Sequence, residues 1–308
     1  MEGRFTAPGK IILFGEHAVV YGKPAIAIPV SGMRATAWSE PGENGITINA
    51  MDVNKKFKLS TDRNQFSVLA QSILAITDKR EPNLTINLTS KLPQGSGMGS
   101  SAATSTAVCR ALSGHLGVDL DANEISELVF EAEKIVHGTP SGIDNTVVAY
   151  EMPVYFIKGQ NPETFEPGKL FRLVIGDTGI EAPTKETVAN VRKAWQNEPG
   201  LMEGYFDEIE KITRNGKIAI ENGNAEQVGE LMDENHELLN SIGVGHKILE
   251  ELVEIAREKG ALGAKLTGGG GGGNMVALAE DKETQKKICE AITEAGYSAY
   301  QTSFGEQV

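Results

Sequence analysis

Residues 93–103 read Pro-Gln-Gly-Ser-Gly-Met-Gly-Ser-Ser-Ala-Ala, a spacing suited to holding an anion. Three alternating glycines let successive backbone N–H groups turn into one concavity. The run that follows, residues 101–116, places Val108, Ala111, Leu112 and Leu116 at helical spacing, so the positive end of a helix dipole points to the same place. Ahead of the loop, residues 83–89 alternate Leu84, Ile86 and Leu88 with polar neighbours, the pattern of a half-buried strand. Strand, glycine loop and helix together predict a phosphate site. A Walker A loop would end in Gly-Lys-Ser/Thr, and a protein-kinase or dinucleotide loop would read Gly-x-Gly-x-x-Gly; neither order is present.

Three other polar groups stand in patterns that decide less by themselves. Lys10 lies at the mouth of a short apolar run, residues 11–14, where a lysine is ordinarily a solvated edge charge. Asp121 and Glu124 form a capping box for a helix whose apolar stripe is Ile125, Leu128, Val129, Ala132, Ile135 and Val136. Glu131 and Glu133 flank that stripe from opposite sides, and periodicity does not choose between them. Asp144 follows Ser-Gly in Pro-Ser-Gly-Ile-Asp-Asn, at the edge of a strand-like run over residues 146–150. An aspartate there is ordinarily a turn former.

Taken together, these stretches resemble the motifs of the GHMP kinases, the galacto-, homoserine, mevalonate and phosphomevalonate kinases. The loop at 93–103 is similar to their phosphate loop, with Met98 where the family more often has leucine. Residues 6–22, Thr-Ala-Pro-Gly-Lys-Ile-Ile-Leu-Phe-Gly-Glu-His-Ala-Val-Val-Tyr-Gly, resemble the first motif of the mevalonate kinase branch. Galactokinases typically carry Thr-Asp after Gly-Glu-His, so this stretch separates branches of the family. Residues 264–273, Ala-Lys-Leu-Thr followed by six glycines, resemble the third motif. Six glycines alone would suggest a flexible linker, which makes poor sense between two strand-like runs of one lobe.

The resemblance implies an α+β fold of two lobes, residues 1–165 with the phosphate loop and residues 166–308, with ATP and substrate in the cleft between them. It implies transfer of the ATP γ-phosphoryl group to the C5 hydroxyl of mevalonate. On the same grounds Pro93, Gly95, Ser96, Gly97, Met98, Gly99, Ser100 and Ser101 cradle the ATP phosphates, and Ser101 and Glu133 hold Mg²⁺. Asp144 is the catalytic carboxylate facing the hydroxyl, Lys10 the active-site cation, and Glu16, His17, Tyr21, Thr184 and Gly269 line the substrate side. Thr184 has a second reading as a helix N-cap. Family members are often homodimers, so a homodimer is implied. A sister kinase, a decarboxylase of the same superfamily, or a non-catalytic sensor on this fold would share part of the pattern. The first motif and the joint presence of Lys10, Ser101, Glu133 and Asp144 weigh against all three.

Composition narrows the partners. A net charge of −13 without clustered Lys and Arg excludes a nucleic-acid partner. No apolar run approaches the roughly 18 to 20 residues of a membrane span, and the opening residues lack the pattern of a signal peptide, so a cytoplasmic location is expected. Cys109 and Cys289 lack metal-ligand spacing and read as small buried hydrophobes. The rest reads as scaffold: antiparallel strands at 25–30, 34–39, 46–51 and 55–60, a helix at 64–77, and amphipathic helices near 206–220, 228–239 and 248–256.

Overall fold

Eleven strands and nine α-helices are distinguished in the computed structural model, which describes residues 3–77, 80–93, 97–138, 140–181 and 184–305. Gly95 and Ser96 lie outside the described residues. In chain order the first elements are β1 (Phe5–Phe14), β2 (Ala25–Pro41), β3 (Ile46–Ala50), β4 (Lys55–Lys58), α1 (Gln65–Thr77), β5 (Leu84–Ser90), α2 (Ser100–Leu116), α3 (Ala122–His137) and α4 (Ile143–Tyr150). There follow β6 (Val154–Phe156), β7 (Glu163–Thr164), β8 (Phe171–Asp177), α5 (Thr184–Asn197), α6 (Pro199–Glu221), α7 (Ala225–Ser241), α8 (Lys247–Glu258), β9 (Gly263–Thr267), β10 (Asn274–Ala279), α9 (Lys282–Glu294) and β11 (Ser298–Phe304).

Contacts group these elements into two units. The first comprises the described residues of Met1–Lys10, Met33–Gln94 and Met98–Glu151; the second comprises those of Ile11–Gly32, Gly95–Gly97 and Met152–Val308. In the first unit the strand order is β4-β3-β5-β2. Pairing is not antiparallel throughout, because β3 runs parallel to β5, with Ile48 opposite Ile86. Helix α2 packs on β5 and on α3. Its buried face is built from Ala102, Ala103, Ala107, Val108 and Ala111, side chains short enough for close approach. Helix α3 packs against α1, α2 and α4, starts at the predicted Asp121–Glu124 capping box, and ends at Gly138.

In the second unit the sheet order is β11-β8-β10-β9, antiparallel throughout. Helices α7 and α8 cover β9, and α9 covers β8 and β11. The core between them includes Phe206, Ile209, Leu249, Leu252, Leu266 and Ile288. Residues Ala25 to Ala27 of β2 pair with β6, and β6 with β7, in the same unit. The glycine run after β9 is an ordered turn rather than a linker: Gly270 has φ +69°, and a Cβ there would stand 2.2 Å from the Val244 carbonyl oxygen. No helix among the described residues is long and apolar enough to cross a membrane.

Four expectations need correction. The runs at 25–30 and 34–39 are one strand, β2, continuous through Gly32 because its two halves find partners in β6 and β5. The strand-like run at 146–150 is helical: Val147 and Val148 are fully buried in α4, which packs on α2 and α3, and Thr146 Oγ1 donates to the Gly142 carbonyl 2.7 Å away. Packing there overrides the β preference of a branched run. Ile135 and Val136, placed in the buried stripe of α3, are 55% and 46% exposed because the stripe drifts off its partners in the last turn. Cys109 is buried as expected, but Cys289 is only half-buried.

Candidate active site

In the first unit, four predicted residues meet as two pairs. Lys10 is no edge charge: it lies inside β1 at 7% exposure, and its backbone N–H donates to the Met98 carbonyl at 2.9 Å. A Cβ on Gly99 would be 2.8 Å from Lys10 Cγ, so the lysine stem runs directly under the glycine loop and only glycine fits above it. Lys10 Nζ lies 3.1 Å from Asp144 Oδ1. Asp144 sits in the first turn of α4, where the helix dipole favours negative charge. That turn is held to α3 by Asn145, whose Nδ2 donates to Ser126 Oγ at 2.8 Å and to the Ser126 carbonyl at 3.1 Å.

The second pair is Ser101, in the first turn of α2, and Glu133 of α3; Ser101 Oγ donates to Glu133 Oε1 at 2.6 Å. The other Glu133 oxygen lies 3.3 Å from His137 Nε2. Tertiary packing thus separates the two glutamates, Glu133 being 2% exposed while Glu131 bonds Lys134 at the surface. Burial pushes the Glu133 carboxyl above the ordinary carboxylate range, against the hydrogen bond from Ser101 and the charges of His137 and Lys10, with Asp144 adding to the upward push. A cavity of about 220 Å³ opens beside both pairs, lined by Glu133, His137, Pro140, Ser141, Asp144 and Asn145.

The N-terminus of α2 is suited to an anion. Gly99, in the left-handed region at φ +68°, stands at its N-cap position and supplies no side-chain cap, so the first-turn N–H groups are left for a ligand. Of the other loop residues, Met98 is buried, Pro93, Gly99 and Ser100 are half-buried, and Gly97 is exposed with φ +73°. The donors fit Mg²⁺, which takes one or two carboxylates with phosphate oxygens and water: Ser101 and Glu133 put a hydroxyl and a carboxylate oxygen within 2.6 Å. Among the described residues no group of three or more His, Cys, Asp or Glu could hold a metal ion.

The remaining predicted residues belong to the second unit and divide into two kinds. His17, held at φ +60°, donates from Nε2 to the Gly269 carbonyl at 2.9 Å, and burial lowers its pKa against that bond. A Cβ on Gly269 would lie 2.8 Å from Thr184 Oγ1, so His17, Gly269 and Thr184 are neighbours; Thr184 is exposed and opens α5. Glu16 and Tyr21 are packed instead. Tyr21 stacks on Phe206 with ring centroids 4.3 Å apart and leans on Trp195. Glu16 is 1% exposed and paired with Lys265 of β9, itself fully buried. Burial drives the Glu16 carboxyl up and the Lys265 ammonium down, each opposed by attraction to the other. Lys265 also donates to the Leu266 carbonyl at 2.7 Å, and Thr267 Oγ1 to the Ile12 carbonyl at 2.6 Å.

Sequence reasoning passed over Lys265, Ser126, Asn145 and His137. The available signal was spacing: Ser126 and Glu133 lie seven residues apart, two helical turns, so one face of α3 carries two polar groups.

Residues 67–151 match the model of the GHMP kinases N terminal domain, and residues 217–298 that of the GHMP kinases C terminal. The mevalonate kinase of Thermococcus gammatolerans is 40% identical over 316 residues, covering 94% of this chain and 92% of that protein. The chain belongs to the GHMP kinase family. Two solved structures of GHMP kinases extend the comparison. The mevalonate kinase of L. major, in complex with R-mevalonate, superposes with a TM-score of 0.84 at 29% identity, covering 98% of this chain and 96% of that one. The Methanococcus jannaschii mevalonate kinase gives 0.85 at 27% identity, covering 98% of both chains.

Proposed function

We infer that this GHMP kinase is an ATP-dependent small-molecule kinase acting on mevalonate, transferring the γ-phosphoryl group to its C5 hydroxyl and releasing ADP. Identity to curated mevalonate kinases near 40% along almost the whole chain supports the substrate, and the Lys10–Asp144 pair at 3.1 Å carries the chemistry. The hydroxyl oxygen attacks the γ-phosphorus, the bond to the β–γ bridging oxygen breaks, and the hydroxyl proton passes to the Asp144 carboxylate. Lys10 neutralises the alkoxide and the equatorial oxygens as charge builds on them. The described residues of the loop from Pro93 to Ser101 and the open N–H groups of α2 take the phosphates. A cavity of about 340 Å³ runs from Ser100 and Thr104 past Val53, Leu88 and Leu92, with room for a purine ring. Ser101 and Glu133 would hold Mg²⁺, which would supply charge neutralisation on the phosphates. His17, Thr184 and Gly269 serve the substrate, and Glu16 and Tyr21 shape that wall from within. The two-lobe division at residue 165, homodimeric assembly and cytoplasmic residence belong to the same reading.

The test is ADP release from Mg-ATP with mevalonate, phosphomevalonate, mevalonate diphosphate, galactose and homoserine offered separately. Turnover on mevalonate alone is expected; turnover on another acceptor overturns the substrate, and ATP binding without turnover overturns catalysis.

The raised Glu133 pKa sets a second expectation. Mg²⁺ needs the carboxylate, so the Mg²⁺ concentration for half-maximal rate rises as pH falls through a value above the ordinary carboxylate range. Ser101→Ala removes a metal ligand and the hydrogen bond that holds that pKa down, so it raises the Mg²⁺ requirement and moves the acid limb to higher pH. Mg²⁺ titrations repeated as the pH is lowered check both; a pH-independent requirement would remove Glu133 from the metal site.

A further inference from the structure

Glu151 lies at the opposite end of α4 from Asp144 and stands in the left-handed region at φ +55°. Glycine is the usual occupant of such a helix end, so a glutamate there is held against backbone strain. Its carboxylate is fully engaged. Arg34 Nη2 donates to both oxygens at 2.9 and 2.7 Å, and Arg110 Nη1 donates to Oε1 at 2.6 Å. Both arginines also grip Thr6 of β1: Arg34 Nε donates to its hydroxyl at 2.9 Å and Arg110 Nη1 to its carbonyl at 2.6 Å. Arg110 Nη2 further donates to the Ala149 carbonyl at 2.9 Å.

The placement of this cluster matters more than its energy. Thr6 and Lys10 are four residues apart on β1, about 13 Å in an extended strand. Asp144 and Glu151 are seven apart along α4, about 10 Å in a helix. Strand and helix therefore run in opposite directions and are linked through side chains at both ends, by the arginine cluster at one and the Lys10–Asp144 pair at the other. Sliding of α4 against β1 would change the Lys10–Asp144 separation directly. Planar arginine forks fix direction as well as distance, which a single lysine would not.

We infer that Glu151, with Arg34 and Arg110, is a positioning residue for phosphoryl transfer, setting the Lys10–Asp144 geometry from the far end of α4. The inference rests on the reading of Asp144 as the catalytic carboxylate. It is tested by steady-state kinetics with Mg-ATP and mevalonate on Glu151→Gln, Asp144→Asn and the double variant, per folded enzyme by circular dichroism. Glu151→Gln is expected to lower kcat roughly 10- to 100-fold, the scale of a misplacement near 1 Å, with KM for ATP nearly unchanged. In the Asp144→Asn background the same substitution should add little, because its effect runs through Asp144. Glu151→Asp, which keeps the charge, should recover part of the loss, and Arg34→Lys gives a milder disturbance if Glu151→Gln folds poorly. Wild-type kcat in Glu151→Gln and Arg34→Lys, or losses that multiply in the double variant, overturn the inference and leave a structural role alone. Wild-type turnover in Asp144→Asn instead overturns the reading of Asp144, whatever Glu151→Gln does.

Discussion

Asp144→Asn and Lys10→Met are each expected to lower kcat by on the order of 10² to 10⁴, the usual loss when an acid–base or electrostatic group is removed. Both substitutions nearly conserve shape and remove charge. The fold should survive, because the Asp144 side chain is 35% exposed, which leaves the pair partly solvated. The two losses should not multiply, since either change leaves the other group without the partner that defines its role. Single-turnover kinetics with pre-bound Mg-ATP separates chemistry from binding: the phosphoryl-transfer step slows while nucleotide affinity holds. Near-normal transfer in both variants would exclude the pair from the reaction.

The other large effect is on stability. Glu16 and Lys265 are withdrawn from water together, and removing one leaves the other charge buried alone. Lys265→Met and Glu16→Gln singly should each cost roughly 3 to 5 kcal/mol in urea unfolding, and the double variant should recover most of it. Single variants within about 1 kcal/mol of wild type would mean the pair behaves as a surface contact. The consequence for function is local: with Thr267 and His17, this pair joins the end of β1 to β9 and the start of the glycine turn. The stretch after β1 is therefore held in place by side chains that themselves stay buried.

Some of the candidate site could be read without a structure because its signals are local. The glycines at 95, 97 and 99 carry no side chains ahead of a helix start, a pattern that lets backbone N–H groups face an anion. Asp121 and Glu124 cap their helix through bonds spanning three residues, and those bonds are present. Helical and strand periods likewise follow from one face of each element meeting a core. The choice between Glu131 and Glu133 was of another kind. Both flank the same stripe, and only the packing of α3 between α2 and α4 buries one and leaves the other in water. The run after Asp144 illustrates the same limit, since its branched residues prefer strands and become a helix once α2 and α3 cover them.

By itself, then, the sequence determined the family, because its motifs are written in contiguous residues, and through that resemblance it pointed to a phosphate loop at 93–103 and to Lys10 and Asp144. Tertiary structure alone decided that Lys10 is buried rather than solvated, that Glu16 answers to Lys265, and that Glu151 is tied through two arginines to the strand bearing Lys10. Those relations join residues up to 249 positions apart. Burial and pairing at that range depend on which surfaces the chain brings together, and no local period carries that information.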